Sequence, residues 1–353
     1  MLYFATLFDK NYLSRGLALL ESLRKNSSQP FMLYVLALDE AVVSYFQTHK
    51  NPHVQTISLQ EIEEFYPELV QAKNNRKRVE YYFTLSPYIP SYILQKFQVD
   101  RITTLDSDIY FFDDPGIIFN AYPAASILIT PHGFSDRLMH LTVHGKYNVS
   151  FQSFKNNQHG NKCLAEWRKK CVEWCYDELD LINNRYADQK YLDSWPDEFK
   201  EVEVIQIPGT GLAPWNLDKY SYSIKGNRIF VNDCPLVYFH FHHLRIFNSY
   251  FAINAFEEYQ VQTRDKAIKK IYQYYLERLN KNSKGLFNTD NTQVRYTVAG
   301  DKTLFNKLVS TNGYWFYTNW FIFYVNPQKN ISKVKYRVRK LYGSITKSNY
   351  VHR

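Results

Sequence analysis

The chain opens with an apolar run, LYFATLF, followed by YLSRGLALLESLRKN with apolar residues at helical spacing, and then by a second apolar run, FMLYVLALD. Strand, helix and strand in that order within the first 40 residues make a βαβ unit, which implies a parallel sheet. The 353 residues, 45% of them hydrophobic, suffice for one large α/β domain or for such a domain with an appendage. VQTISL predicts a further short strand. EIEEFYPELVQAK and SPYIPSYILQKF predict helices whose prolines mark starts or breaks. Beyond them, ASILITPH, YNVSFQSFKN, EVEVIQIPG and RIFVNDCPLVYFHFHH read as strands, and GNKCLAEWRKKCVEWCYDEL as an amphipathic helix. After about residue 256 the pattern is helical (EEYQVQTRDKAIKKIYQYYLERLNK), then polar, then aromatic and basic. The expected organisation is one domain over 1–255 and a helical region with a basic, aromatic tail over 256–353.

Within this frame, RITTLDSDIYFFDDP sets Asp106 and Asp108 at the end of a strand. Ligands of open α/β sheets collect at the C-terminal ends of strands. Strand alternation points both carboxylates to one side. Two like charges facing one spot are unfavourable unless a cation or a proton intervenes. Hard oxygen ligands suit Mg²⁺ or Mn²⁺ and a bound diphosphate. An Asp-x-Asp alone is weak evidence, and a solvated acidic turn before Pro115 is the bland alternative.

LVYFHFHHLR adds His240, His242 and His243 at the end of another strand-like run, with His240 and His242 on one face by alternation. Imidazole beside carboxylates makes a reasonable Mn²⁺ shell. Arg245 lies just beyond and could meet a phosphate bidentately. In RYADQKYLDSW, Asp188 and Gln189 open a short helix, so Asp188 reads equally as an N-cap or as a catalytic group.

Composition separates the remaining classes. The 30 Tyr and 25 Phe suit a polar ligand cleft or a packed core equally well. Of the net charge of +9, +8 lies in 327–353, which has eight Lys or Arg and no acidic residue, leaving +1 for the rest. Tail and aromatic segment YWFYTNWFIFYV together fit a peripheral anchor on an anionic membrane. That segment is too short to span a bilayer as a helix. No nucleic-acid module is recognisable, so nucleic acid is not an expected partner. Four cysteines do not make a disulfide scaffold; Cys171 and Cys175, spaced i, i+4, read as neighbouring packed thiols of a reduced compartment. The start, MLYFATLFDKNY, lacks the pattern of an export signal, which makes a cytoplasmic location the expectation, with the inner membrane face as a peripheral site.

The succession LDSDIYFFDDP, YNVSFQSF, ADQKYLDSW, GLAPWN and YFHFHHLR, after the strand–helix start, resembles the GT-A-fold glycosyltransferases. It is most similar to the retaining family that includes glycogenin and bacterial lipopolysaccharide galactosyl- and glucosyltransferases, and closer still to a group from surface-polysaccharide gene clusters. The resemblance spans roughly Met1 to Phe247. It implies a Rossmann-like nucleotide-diphospho-sugar transferase fold with a mixed central sheet. It also implies a nucleotide-sugar donor, UDP-linked above all, and a glycan or lipid-linked glycan acceptor. By position, Asp106, Asp108 and His240 would hold Mn²⁺ or Mg²⁺, with His242 the alternative to His240. Asp188 and Gln189 would lie near the transferred sugar, and Thr6, Phe8 and Tyr12 at the nucleotide edge.

Two positions depart from the pattern. Phe83 stands where the family has a donor-contacting arginine, leaving Arg76 or Arg78 to substitute. HHLR replaces a glycine-and-lysine loop, leaving Arg245 as the phosphate contact. Retention at the anomeric carbon is the expected course, with inversion through Asp188 as base the alternative. A haloacid-dehalogenase-type phosphatase also uses Asp-x-Asp after a strand. That class expects Thr or Val where this chain has Tyr110, and its motif lies nearer the N-terminus. A non-catalytic membrane-binding protein is the remaining rival.

Overall fold

The computed structural model describes residues 1–248, 251–256, 258–261, 263, 265–286, 314–317 and 321–325. The chain divides into two compact units, Met1–Phe241 and His242–Arg353. That division falls upstream of the 255/256 boundary suggested by the change in pattern.

The first unit is built on strands β1 (Leu2–Phe8), β2 (Phe31–Ala37), β3 (Val54–Ser58), β4 (Arg101–Leu105), β5 (Ile109–Phe111), β6 (Ile127–Pro131), β7 (Tyr147–Lys155) and β8 (Val202–Val204). All but β5 form one sheet in the order β3-β2-β1-β4-β7-β6-β8. β1, β2, β3 and β4 are mutually parallel, β7 runs antiparallel to β4 and β6, and β8 is parallel to β6. This mixed sheet with packed helices is the GT-A architecture that the resemblance implies. The opening βαβ unit is present, with α1 (Leu13–Asn26) as its crossover.

Helix α1 buries Leu13, Ala18, Leu19, Leu20 and Leu23, and ends on Arg24 and Lys25, which favour a helix C-terminus. It approaches the end of β1 so closely that a Cβ at Gly16 would lie 2.3 Å from Cε1 of Phe8. Helix α2 (Glu40–Thr48) starts at Asp39, whose side chain accepts from the Val42 N–H. The segment EIEEFYPELVQAK breaks at its proline into α3 (Leu59–Phe65), capped by Ser58 and Glu61, and α4 (Glu68–Asn74). Helices α5 (Arg78–Leu85), α6 (Tyr88–Phe97), α7 (Gly116–Ala121), α8 (Gln158–Glu173) and α9 (Trp195–Glu198) complete the unit.

Ile102, Ile127, Ile129 and Phe154 from the sheet pack with Tyr88, Ile89, Tyr92 and Ile93 of α6 and Leu164, Trp167 and Cys171 of α8. Many of the aromatic residues are therefore core: Trp167 and Trp195 meet edge-on at 5.2 Å. Helix α8 ends at Glu173, so Cys175 lies just beyond the helix expected to carry it; Cys171 and Cys175 are nonetheless both buried and free.

RIFVNDCPLVYFHFHH is interrupted where one strand is expected. It holds β10 (Arg228–Val231), β11 (Cys234–Pro235) and β12 (Tyr238–His240). Asn232 and Asp233, with φ of 46° and 65°, turn β10 back onto β11, since both residue types tolerate the left-handed conformation of such a turn. β10 also pairs with β9 (Tyr222–Lys225), and β12 pairs antiparallel with β5.

The second unit contains α10 (Lys266–Leu286) and strands β13 (Arg245–Asn248), β14 (Phe251–Ile253), β15 (Tyr314–Tyr317) and β16 (Phe321–Val325), ordered β13-β14-β16-β15. The expected helix starts at Lys266 rather than near residue 257, after Asp265 accepts from the Ala267 N–H at 2.7 Å. Ala267, Ile268, Ile271, Tyr272, Tyr275, Leu276 and Leu279 form its buried stripe. The antiparallel sheet is a feature that the helical pattern of this region does not announce. YWFYTNWFIFYV supplies its two paired strands, β15 and β16. The basic tail, 327–353, lies outside the described residues. No described helix is long and apolar enough to cross a membrane.

Candidate active site

β1 and β4 run parallel with Ala5 opposite Thr104, so their C-terminal ends emerge side by side. Asp9 and Tyr12 follow the first, and Asp106 and Asp108 the second. β4 stops at Leu105. Asp106 to Asp108 form a turn, in which the Asp106 N–H donates to the Ser150 carbonyl (2.9 Å) and the Ile109 N–H to the Asp106 carbonyl (3.2 Å). Strand alternation is therefore not what brings the two carboxylates to one side; the turn is.

β12 lies against β5 with His240 opposite Ile109, locked by the Phe241 N–H to the Asp108 carbonyl (3.0 Å) and the His240 N–H to the Leu212 carbonyl (2.7 Å). This register sets His240 Nε2 at 3.2 Å from Asp108 Oδ1 and 3.5 Å from Asp106 Oδ2. The three form one group whose candidate ligand atoms all lie within 4.8 Å of one another. The rings of Trp215 and His240 meet nearly at right angles, with centroids 5.4 Å apart. Trp215 Nε1–H and Asn216 Nδ2–H both donate to the His132 carbonyl (2.7 and 2.9 Å), so GLAPWN is the scaffold behind the histidine.

The electrostatics agree with this crowding. Burial pushes the Asp106 carboxyl up to about 6, His240 pulls it down and Asp108 pushes it up again. Its side chain keeps 41% of its surface open to solvent, which moderates the effect of burial. Burial alone would lower the His240 imidazole, but the charge and hydrogen bond of Asp108, with Asp106 behind, hold it above its ordinary value. Two carboxylate oxygens and one imidazole nitrogen, converging at a partly open turn, are a donor set that fits Mn²⁺ or Mg²⁺.

His242 does not share this group. β12 ends at His240, so alternation no longer holds beyond it, and His242 gathers instead with His243 and Glu258 of the second unit.

Asp188 is 2% exposed and lies in the field of Asp106. Burial pushes its carboxyl up to about 7, against hydrogen bonds from the Ser86 hydroxyl and from the Asp188 and Gln189 N–H groups. The N-cap of the following 3₁₀ turn, Lys190–Ser194, is Gln189 rather than Asp188, so capping does not account for the buried acid. Gln189 Nε2–H donates to the His144 carbonyl (3.0 Å).

On the other flank, burial raises the Tyr12 hydroxyl, Arg15 lowers it, and Asp108 and Asp106 raise it, placing Tyr12 beside the same carboxylates. Arg78 Nη2 pairs with Asp9 Oδ2 at 2.7 Å at the end of β1. Arg76 faces elsewhere: its Nη2 donates to the Cys171 and Val172 carbonyls (3.0 and 2.8 Å) at the end of α8. Of the two candidate substitutes for the missing arginine, Arg78 is thus the one at the strand ends. Thr6 and Phe8 are buried, with Phe8 under Gly16, so they form the floor of this edge and not its surface. Arg245 belongs to the second unit, where it pairs with Ile253 across β13 and β14 and its charge lowers the Glu258 carboxyl.

Asp9 is a participant that motif reading does not single out, while Trp215 and Asn216 lie in the GLAPWN motif, to which the sequence alone assigns no role. Asp9 accepts from the Asn11 N–H (2.9 Å) and from Asn11 Nδ2–H (3.2 Å), a local turn whose signal is the D-x-N spacing directly after the first strand.

The chain is 31% identical over 281 residues to YfnD, an uncharacterized protein of Bacillus subtilis strain 168, which covers 78% of this chain and 87% of YfnD. It is 28% identical over 270 residues to YfnF, an uncharacterized protein of the same strain, covering 74% and 86%. Among solved structures, the galactosyltransferase LgtC in complex with donor and acceptor sugar analogues is 13% identical with a TM-score of 0.49, covering 83% of this chain and 98% of that one. No family model matches.

The mixed sheet and the Asp-Asp-His group at its C-terminal edge define a GT-A-fold protein. Within that class, the chain belongs to the same family as YfnD.

Proposed function

We propose that this chain is a metal-dependent glycosyltransferase that moves a sugar from a nucleotide-sugar, a UDP-sugar above all, to a hydroxyl of a glycan or lipid-linked glycan in bacterial surface polysaccharide or lipopolysaccharide synthesis. The observation that carries this reading is the convergence of Asp106, Asp108 and His240 at the strand ends, with Asp188 in the same field. Asp106 and Asp108 supply oxygen ligands and His240 the nitrogen for Mn²⁺ or Mg²⁺. A bound divalent cation supplies positive charge that offsets the charge of a departing diphosphate.

The chain's own groups divide the remaining work. Trp215, through its T-shaped ring contact, and Leu212, through its carbonyl, hold His240 in place. Tyr12, Asp9 and Arg78 flank the nucleotide over a floor that includes Thr6 and Phe8. Asp188 and Gln189 orient sugar hydroxyls.

The burial of Asp188 supports retention, because a base for inversion must reach the incoming acceptor hydroxyl. Its carboxyl at about 7 favours the second reading, inversion with Asp188 as base, since a base works best with a pKa near the working pH. The anomeric configuration of the product, read by NMR, decides between them.

The test of the activity is a thermal-shift screen of nucleotide-sugars with and without Mn²⁺. One donor should stabilise the chain only when the metal is present, and Asp108→Ala should abolish that shift. Metal-independent stabilisation, or a shift that survives Asp108→Ala, defeats the reading.

The charge of 327–353 supports attachment to an anionic membrane, at roughly 1 kcal/mol per basic residue before screening. Removing Gln328 to Arg353 should weaken sedimentation with anionic vesicles. Equal sedimentation of both forms removes that part of the proposal.

A further inference from the structure

A second cluster of ligand-bearing side chains lies wholly within the second unit and shares no residue with the Asp-Asp-His group. His242 and His243 are consecutive, and consecutive residues of an extended strand point to opposite sides. Here they do not. His243 has φ of +52°, a left-handed conformation that histidine enters more readily than most residues. The two imidazoles stack, with centroids 3.8 Å apart and planes 24° from parallel.

Opposite them, Glu258 brings its carboxylate to 2.8 Å (Oε2) and 3.1 Å (Oε1) from His243 Nδ1. The backbone around Glu258 is held by the Tyr259 N–H to the Ala255 carbonyl (3.2 Å) and the Val261 N–H to the Phe256 carbonyl (2.8 Å). Leu244, Ala255, Phe256, Tyr259 and Val261 beside the cluster are buried, which anchors both stretches that carry it.

We infer that His242, His243 and Glu258 form a second metal site, which takes a borderline divalent ion such as Zn²⁺ and leaves one coordination position to water or another ligand. Each residue offers one ligand atom, and the three atoms lie within 4.8 Å of one another. Two imidazoles and one carboxylate are a recognised zinc donor set, and three protein ligands leave a tetrahedral position open. The donor balance differs from that of the first group, which has two carboxylates and one imidazole and suits a harder ion.

An ion here would clip the chain leaving His242 to the turn that carries Glu258. A surface ion pair between His243 and Glu258 needs neither the left-handed backbone nor His242. A second imidazole nitrogen within 4.8 Å of the other two ligand atoms is what points to a cation.

The test uses the full-length, untagged chain carrying Asp106→Asn and Asp108→Asn, which silences the first group. Calorimetric titration with Zn²⁺ should show one equivalent bound. Adding His243→Asn should lower the affinity by at least about tenfold, because losing a ligand costs no less than losing the partners that orient one. Asparagine also tolerates the left-handed backbone, so this variant keeps the turn and removes only the imidazole. Glu258→Gln, which retains shape and hydrogen bonding, should weaken binding in the same way.

Co²⁺ substituted for Zn²⁺ should give a visible spectrum that changes with His242→Ala and His243→Asn. Absence of Zn²⁺ binding in the Asp106→Asn/Asp108→Asn chain, or binding unchanged by all three ligand substitutions, overturns the inference. The Mn²⁺-dependent shift with nucleotide-sugars in the wild-type chain reads the other group, so either reading can fail without the other.

Discussion

Replacing Asp188 with asparagine is expected to stabilise the fold increasingly as pH rises, while removing transfer activity. Burial takes this carboxyl from its ordinary 3.8 to about 7. A carboxyl raised in this way binds its proton more tightly in the folded chain than in the unfolded one. Its contribution to stability is therefore fully present below about 3.8 and is lost as pH rises to about 7. The loss is about 1.4 kcal/mol per pH unit across that window and roughly 4 kcal/mol in total. Asparagine has nearly the same shape and cannot ionise. The stability gap between Asp188→Asn and wild type should widen by about 2 kcal/mol between about pH 5.5 and about pH 8.5. Urea unfolding followed by tryptophan fluorescence measures it, since Trp167 Nε1–H donates to the Asp188 carbonyl at 2.9 Å. Groups remote from Asp188 titrate in the same range in both proteins and cancel in the difference, and carrying Asp106→Asn in both chains removes the neighbour that is coupled to Asp188. A gap that stays constant with pH, or a variant less stable than wild type at the alkaline end, refutes the reasoning.

Trp215→Phe keeps an aromatic ring against His240 but removes the donor to the His132 carbonyl, and should cost about 1 kcal/mol in a thermal melt. The same variant should bind Mn²⁺ more weakly by calorimetry; unchanged affinity would show that the scaffold does not govern the histidine. Arg78→Ala breaks a pair whose arginine is 61% exposed, so stability should change by less than about 1 kcal/mol while the KM for the donor rises. Gly16→Ala would force a Cβ to 2.3 Å from the Phe8 ring, and should lower stability by about 1–3 kcal/mol, read by chemical unfolding.

The parts of the fold legible in sequence are those set by local periodicity. The opening βαβ unit, the strand before the acidic pair and the proline break between α3 and α4 follow from spacing and from the geometry of proline. The rest depends on contacts far apart in the chain. A short apolar run looks the same whether it becomes one strand or several, so nothing local to Arg228–His240 separates β10, β11 and β12 except the Asn232–Asp233 turn. YWFYTNWFIFYV likewise gains its strands through pairing with each other and with β14, which no window of sequence contains.

The site shows the same division more sharply. Asp106, Asp108 and His240 meet as the motif resemblance implies, but through a turn and a ladder register and not through alternation along a strand. The same ladder separates His240 from His242, because β12 ends between them. What sequence cannot display is the accumulated cost. A histidine 5% exposed and a pair of aspartates meet at one strand edge, and a carboxylic acid 2% exposed lies in the field of Asp106; burial raises Asp106 and Asp188, and the aspartates raise His240 against its burial. Apolar residues of similar size would make a more stable edge. Perturbed ionisable groups cluster where charge has to be handled, so the concentration of unfavourable electrostatics at the ends of β1 and β4 is itself the strongest physical reason to place the chemistry there.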